Sequence, residues 1–259
     1  MLDDIVMSKQ QELEAAKQEL PFEDLKARLA SHLAERSFRR AIYQQGKLSL
    51  IAELKRKSPS KGMLRERFDP VSLAQTLQDA GAAALSVLTD EPYFGGHLDF
   101  LRDAKQFTEV PVLRKDFIID PYQVYEAAFY EADAVLLIVR ILAEEELIAC
   151  MQAADTLGLE PLVEVHSEAE LTVALSAGAH VIGINHRDLS TFQLDPTLSD
   201  RLVPNIPSGK VIVIESGVKT AEDVKRVQKL GAHAVLIGEA LMIASDVGAK
   251  IRELFKGTW

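Results

Sequence analysis

Four segments of this chain share one layout, in which the end of a helix passes through a small residue into an apolar run. They read Gly81-Ala82-Ala83-Ala84-Leu85-Ser86-Val87-Leu88, Glu131-Ala132-Asp133-Ala134-Val135-Leu136-Leu137-Ile138, Gly178-Ala179-His180-Val181-Ile182-Gly183-Ile184 and Gly231-Ala232-His233-Ala234-Val235-Leu236-Ile237. Each begins about fifty residues after the last, the mark of a repeated supersecondary unit. Four further apolar runs precede or separate them: Leu48 to Leu54, Val110 to Leu113, Pro161 to Val165 and Val211 to Ile214. Short runs of Val, Ile and Leu without polar alternation suit strands of a parallel sheet covered on both faces by helices. Helix starts stand between them, at Asp69-Pro70, Asp120-Pro121 and Thr220. Eight strand and helix units in succession predict an α/β fold, a single (β/α)8 TIM barrel. A doubly wound open sheet carries the same local pattern, because periodicity does not reveal closure.

Residues 1–46 hold helical stretches, Gln10 to Leu20 and Phe22 to Arg40, and no strand pattern. They are expected to form an N-terminal helical extension packed on a catalytic barrel of residues 47–259. The charged Arg28 to Arg40 region reads as a solvated helix face.

Composition narrows the function. With 39 acidic against 29 basic residues the net charge is -10, so the average surface repels a nucleic acid. No apolar run approaches the roughly 18 residues of a membrane span, and the acidic N-terminal segment suits neither a secretory signal nor a transit peptide. The single cysteine, Cys150, rules out an internal disulfide and lies in an apolar helical stretch, Leu147 to Met151. A cytoplasmic protein that binds neither nucleic acid nor membrane is expected. An anionic substrate would need a local positive pocket.

In a barrel of this kind the carboxyl ends of the strands form the catalytic mouth, whereas a charge inside a strand is costly. The two-residue period puts Glu53 and Lys55 on the face of Ile51, toward the axis. The same parity directs Lys115, Glu164, Asn185 and Glu215 inward, while Arg114 has the opposite parity and is expected among the helices. A buried ion-pair network that merely caps the barrel is the bland alternative. Several acids and two lysines on one mouth would perturb one another's proton affinities, as acid-base catalysis near neutral pH requires.

After the last two strands come Glu215-Ser216-Gly217 and Gly238-Glu239-Ala240-Leu241-Met242. Gly217 and Gly238 stand where backbone N–H groups can approach a phosphate, although a glycine at such a turn can also be a backbone requirement alone. The first strand runs into the polar loop Arg56 to Arg65, either a solvated loop or a lid that excludes water on closing.

With these motifs, and with Ser86-Val87-Leu88-Thr89-Asp90, Tyr93-Phe94-Gly95-Gly96, Lys115-Asp116-Phe117, Glu164-Val165-His166 and Asn185-His186-Arg187-Asp188-Leu189, the chain resembles the indole-3-glycerol phosphate synthases. The resemblance covers nearly everything from Leu48 onward. It implies a phosphorylated small-molecule substrate, 1-(2-carboxyphenylamino)-1-deoxyribulose 5-phosphate, closed to an indole with loss of carbon dioxide and water, and no metal or organic cofactor. It implies Lys115 as the general acid, Lys55 on the substrate carboxylate, Glu164 and Glu53 as acid-base partners, and Asn185 on hydroxyl groups. Ser58, Gly217 and Gly238 fall at phosphate positions, and Ser58, Phe117, Arg187, Glu215 and Ser216 at substrate-contacting positions. One departure from the family pattern is Asn185-His186, where two asparagines are common; His186 has the opposite parity and is expected off the axis. A monomer is compatible with the sequence, which identifies no partner protein. Another phosphate-binding barrel enzyme and a silent scaffold are the rival readings, and the two lysines with Glu53 and Glu164 favour the synthase.

Overall fold

The computed structural model describes residues 1–29 and 34–259. Eight parallel strands close into a barrel: β1 Ser49–Leu54, β2 Ala84–Leu88, β3 Val112–Lys115, β4 Ala134–Ile138, β5 Glu160–Val165, β6 Val181–Asn185, β7 Val211–Glu215 and β8 Ala234–Ile237. Each strand pairs with the next, and β1 returns to β8 in the register Ser49↔Ala234 through Ala52↔Ile237. Closure disposes of the open-sheet alternative.

Helix starts are set by side-chain caps. Asp69 accepts from Val71 N and Ser72 N to open α4, Pro70–Asp79; Asp120 accepts from Tyr122 N to open α7, Pro121–Phe129; Thr220 accepts from Asp223 N to open α11, Ala221–Lys229. In the first two, proline occupies the turn where its missing N–H costs nothing. The parity rule holds along the axis: Ile51, Leu113, Leu162, Val213 and Leu236 share one enclosed apolar cluster, while the outward residues Leu50, Leu85, Val135 and Ile214 pack with the surrounding helices.

Three sequence expectations need correction. The third strand is not Val110 to Leu113 but runs two residues later, because Val110 gives its carbonyl to Arg36 and the ladder extends through Arg114 and Lys115. The span Phe22 to Arg40 is not one helix. It contains α2, Phe22–Arg28, and the start of α3, Phe38–Ile42, and residues 30–33 of it lie outside the described residues. Nor is Arg36 a solvated charge, since its guanidinium donates to the carbonyls of Val110 and Lys105.

Both ends of the barrel meet the residues that precede β1. At the amino end, α3 buries Phe38 and Ile42 in the axial cluster, and the segment before it binds Glu160, the first residue of β5. Asp133 is the node there, fully buried, accepting from Lys105 Nζ (2.5 Å), Val112 N (2.9 Å) and Arg36 N (3.2 Å). At the carboxyl end, Lys9 of α1, Leu2–Glu19, reaches Asp116 (3.0 Å) and Asp90 (3.3 Å) beyond the ends of β3 and β2.

Among the described residues no helix is long and apolar enough to cross a membrane. Cys150 is fully enclosed within α8, Glu144–Leu157, and burial, with Asp120 and Glu146 nearby, pushes its thiol up to about 12. A thiol-disulfide reagent should therefore leave the native protein unlabelled and titrate one thiol after unfolding; rapid native labelling would contradict the packing of α8. Asp133→Ala leaves Lys105 and two donors without their acceptor and should cost about 3–5 kcal/mol in urea unfolding, the range for breaking a buried ion pair. A loss below about 1 kcal/mol would show that Asp133 does not hold the amino end together.

Candidate active site

The carboxyl end of the barrel opens into a cleft whose interior and mouth together hold about 1020 Å³ of space, open solvent included. Every residue singled out in the sequence lines it: Glu53, Lys55 and Ser58 from β1 and the loop after it, Lys115 and Phe117 from β3 and its end, Glu164 from β5, Asn185 and Arg187 from β6 and its end, and Glu215, Ser216, Gly217 and Gly238 from the ends of β7 and β8. Phe94, Lys219 and Glu239 also line the cleft, from segments that strand parity does not reach. Phe94 comes from α5, Glu91–Phe94, which Asp90 caps through Tyr93 N and Phe94 N; its ring lies 5.9 Å from that of Phe117. Glu239 lies between Arg187 (3.7 Å) and Lys219 (3.8 Å).

Ionic contacts order the floor. Lys55 Nζ meets Glu53 Oε2 at 2.5 Å, and Lys115 Nζ stands 3.3 Å from Glu164 Oε2 and 3.6 Å from Glu215 Oε2. Asn185 accepts from Arg187 N through Oδ1, which leaves its amide for Glu164. Two glycines make room for this layer. A Cβ on Gly183 would stand 2.3 Å from Glu215 Oε1, and one on Gly238 would stand 2.1 Å from Glu53 Oε2. Gly183 in mid-strand is the kind of signal a close approach leaves in a sequence.

Burial and charge then divide the protons. Burial works against the Lys115 ammonium, but Glu164, Glu215 and Glu53 outweigh it and hold the lysine above its ordinary range. Burial would raise Glu164, yet Lys115 and His166 draw it below the usual carboxylate range. Glu215 goes the other way: burial and the neighbouring Glu164 charge raise it more than Lys115 lowers it. The two carboxyls titrate as a pair, with Glu164 drawn toward the ionised form and Glu215 toward the protonated one.

After β7 the chain turns through two left-handed residues, Ser216 at φ 64° and Gly217 at φ 81°. The first is costly for a residue with a side chain, on the order of 1–3 kcal/mol, and such conformations concentrate at functional sites. Ser58 Oγ, elsewhere in the cleft lining, is buried and has no hydrogen-bond partner among the described residues. The loop after β1 is not plain coil: Lys57–Ser58 and Gly62–Met63 pair as a small antiparallel ribbon, and Arg65 donates to the carbonyls of Met242 and Ala244. Arg114 turns outward to Asp116 and Glu126, as its parity requires. His186 is buried outside the cleft, where burial and Arg226 lower its proton affinity.

The indole-3-glycerol phosphate synthase family model matches residues 2–254. The chain belongs to that family. It is 44% identical over 255 residues to the indole-3-glycerol phosphate synthase of Acetivibrio thermocellus, covering 98% of each chain. It is 45% identical to that of Caldanaerobacter subterraneus subsp. tengcongensis over 256 residues, covering 99% of this chain and 98% of the relative. Among solved structures it resembles 3-hexulose-6-phosphate synthase from Salmonella typhimurium, with TM-score 0.65 and 16% identity over 80% of this chain and 96% of that one. A thiamine phosphate pyrophosphorylase from Pyrococcus furiosus gives TM-score 0.60 and 19% identity, over 82% and 95%. At such identities these two structures speak for the barrel alone.

The tight seat of Glu53 over Gly238 gives a test. Gly238→Ala should displace the Glu53 carboxylate and lower kcat/KM by about 100-fold, the scale of a 1 Å misplacement at a reacting centre, while the circular-dichroism melt remains cooperative. Unchanged kcat/KM would mean that the position of Glu53 is immaterial.

Proposed function

We propose that Lys115 is the general acid of this family's reaction and that Glu164, Glu53 and Lys55 are its partners. The reaction is ring closure of 1-(2-carboxyphenylamino)-1-deoxyribulose 5-phosphate with loss of carbon dioxide and water, giving indole-3-glycerol phosphate, the carboxy-lyase step in tryptophan biosynthesis. The observation that carries the assignment is the place of Lys115, on the axis between Glu164 and Glu215 at the floor of the cleft.

Attack of the aromatic carbon on the sugar carbonyl develops negative charge on the carbonyl oxygen and positive charge on the arylamine. A lysine ammonium already in place stabilises the first without reorganisation, and ionised carboxylates stabilise the second. Loss of carbon dioxide from the attacking ring carbon restores the benzene ring, and Glu164, beside Lys115, is suited to accept the carbon-bound proton given up as water leaves and the indole forms. Lys55 supplies the cation for the substrate carboxylate, with Glu53 sharing proton transfer, and Asn185 positions hydroxyl groups. Phe94 and Phe117 offer an apolar wall to the aryl ring. Ser58 Oγ and the backbones of Gly217 and Gly238 hold the phosphate, with Ser216, Glu215 and Arg187 completing the substrate contacts. Holding phosphate and carboxylate at opposite ends brings the reacting carbons together and removes much of the entropic barrier to cyclisation.

On this reading residues 47–259 are the catalytic barrel and residues 1–46 an extension packed on it. The enzyme works in the cytoplasm on a phosphorylated small molecule, without nucleic acid or membrane. Ring closure, loss of carbon dioxide into the arylamine iminium and loss of water are all redox-neutral and call on the protein only for proton donors and acceptors, so no metal or organic cofactor is needed.

Purified protein should form indole-3-glycerol phosphate from the carboxyphenylamino substrate in the presence of a chelator. No product at saturating substrate would sink the reading. Lys115→Met should lower kcat by about 100- to 10,000-fold, the usual range for a general acid, with the fold intact; near-normal turnover would reassign the acid. The dephosphorylated substrate should bind roughly 100-fold more weakly, equivalent to two charge-assisted hydrogen bonds at about 1.5 kcal/mol each, and equal affinity would exclude a phosphate site at Ser58, Gly217 and Gly238.

A further inference from the structure

His166 follows Glu164 by two residues and faces the same side of the chain. Its side chain is 2% exposed and lies between two carboxylates: Nε2 is 3.2 Å from Glu164 Oε1, and Nδ1 is 3.3 Å from Glu170 Oε2. The Nε2 approach to Glu164 Oε1 is an ionic contact off hydrogen-bond alignment, and neither atom has a hydrogen-bond partner among the described residues. Glu170, in the first turn of α9, Glu168–Ser176, also accepts the backbone N–H of His166 at 2.7 Å. Arg140, from the turn after β4, gives Nε to Glu170 (3.0 Å) and Nη1 to Asp188 (2.6 Å). Asp188 in turn accepts from Ser190 N and Thr191 N, shaping the turn that carries Leu189 and Phe192 along the cleft wall.

An ionised carboxylate only accepts hydrogen bonds, and a neutral imidazole has only one N–H. With a carboxylate at each ring nitrogen, a neutral ring would turn a lone pair toward one of them. Only the imidazolium serves both. We propose that His166 is a positioning residue for the reaction: as a cation bridging Glu164 and Glu170, it fixes the direction and the charge of the Glu164 carboxylate, so that Oε2 faces Lys115. This inference rests on the acid-base role given to Glu164. The surroundings agree in sign. Burial acts against the charged ring, but the contacts with Glu164 and Glu170 carry it up to about 9. Across Glu164 stand Lys115 from β3, Asn185 from β6 and Glu215 from β7, and behind Glu170 stand Arg140 and Asp188. Without the imidazolium, the Glu164 and Glu215 pair would keep its protons to higher pH, because one of the two cations that ionise Glu164 would be gone.

A histidine that merely fills space would give no such pH signature. The test compares the pH dependence of kcat/KM and kcat for the whole enzyme and for His166→Gln, which keeps a neutral donor without the charge. The acid limb should move up by about one pH unit, and kcat on the plateau near pH 7 should fall about 10-fold because Oε2 is no longer aimed at Lys115, while KM changes little. The variant His166→Leu, lacking donor and charge, should lose more. A His166→Gln profile that superimposes on the wild type would overturn the proposal. Nitrogen-15 NMR of the wild-type imidazole provides a readout that requires no variant to fold: a doubly protonated ring at pH 7.5 supports the proposal, and a neutral ring overturns it. A wild type that forms no product would remove the reaction assignment, and the inference with it, whereas normal wild-type turnover with an unmoved variant profile sinks the inference alone.

Discussion

Closing eight parallel strands on themselves commits every second residue of each strand to one enclosed axis. The β1 to β8 pairing completes that enclosure, and the lower part of the axis is accordingly apolar, filled by Ile51, Leu113, Leu162, Val213 and Leu236. One step further along the same strands the axial positions become Glu53, Lys115, Glu164 and Glu215. Charges so placed have lost most of their water, and the penalty for an isolated one would be severe. They persist because they meet one another: Lys55 meets Glu53, and Lys115 meets Glu164, with the Glu215 carboxyl 3.6 Å away on its other side. The glycines at 183 and 238 leave the volume that these carboxylates occupy. Mutual contact in a layer with little water sets the protonation from which acid-base chemistry starts.

The two ends of the barrel divide stability from chemistry. At the amino end, Asp133 collects Lys105, Arg36 and Val112, and α3 seals the apolar axis. At the carboxyl end, the residues before β1 return through Lys9. Its buried ammonium meets Asp116, directly between Lys115 and Phe117, and Asp90, which caps the short helix bearing Phe94. The aromatic wall and the axial lysine thus share one ionic anchor.

Most of the barrel and its mouth were legible because two local rules suffice for them. Buried strands announce themselves as apolar runs, and a period of two then points Glu53, Lys115, Glu164, Asn185 and Glu215 inward. What escaped reading depends on distant partners. Lys9 looks like any lysine on an acid-rich helix until the strand ends that hold its two aspartates are brought beside it. Arg36 sat in what passed for a solvated helix, although its partners are backbone carbonyls with no sequence signature. The third strand was placed two residues early because Val110 and Pro111 are as apolar as their neighbours, while its true end is charged. His166 had a signal, the same parity as Glu164, but it lies one residue beyond the apolar run that marked the strand.

The central claim is that one floor of axial charges faces both ends of a single substrate. A crystal structure with an unreactive substrate analogue measures this most directly. The account predicts the phosphate against Ser58, Gly217 and Gly238, the carboxylate at Lys55, and the oxygen that replaces the sugar carbonyl within hydrogen-bond distance of Lys115 Nζ. An analogue bound in the cleft with its phosphate at Lys55, or with that oxygen out of reach of Lys115, would contradict it.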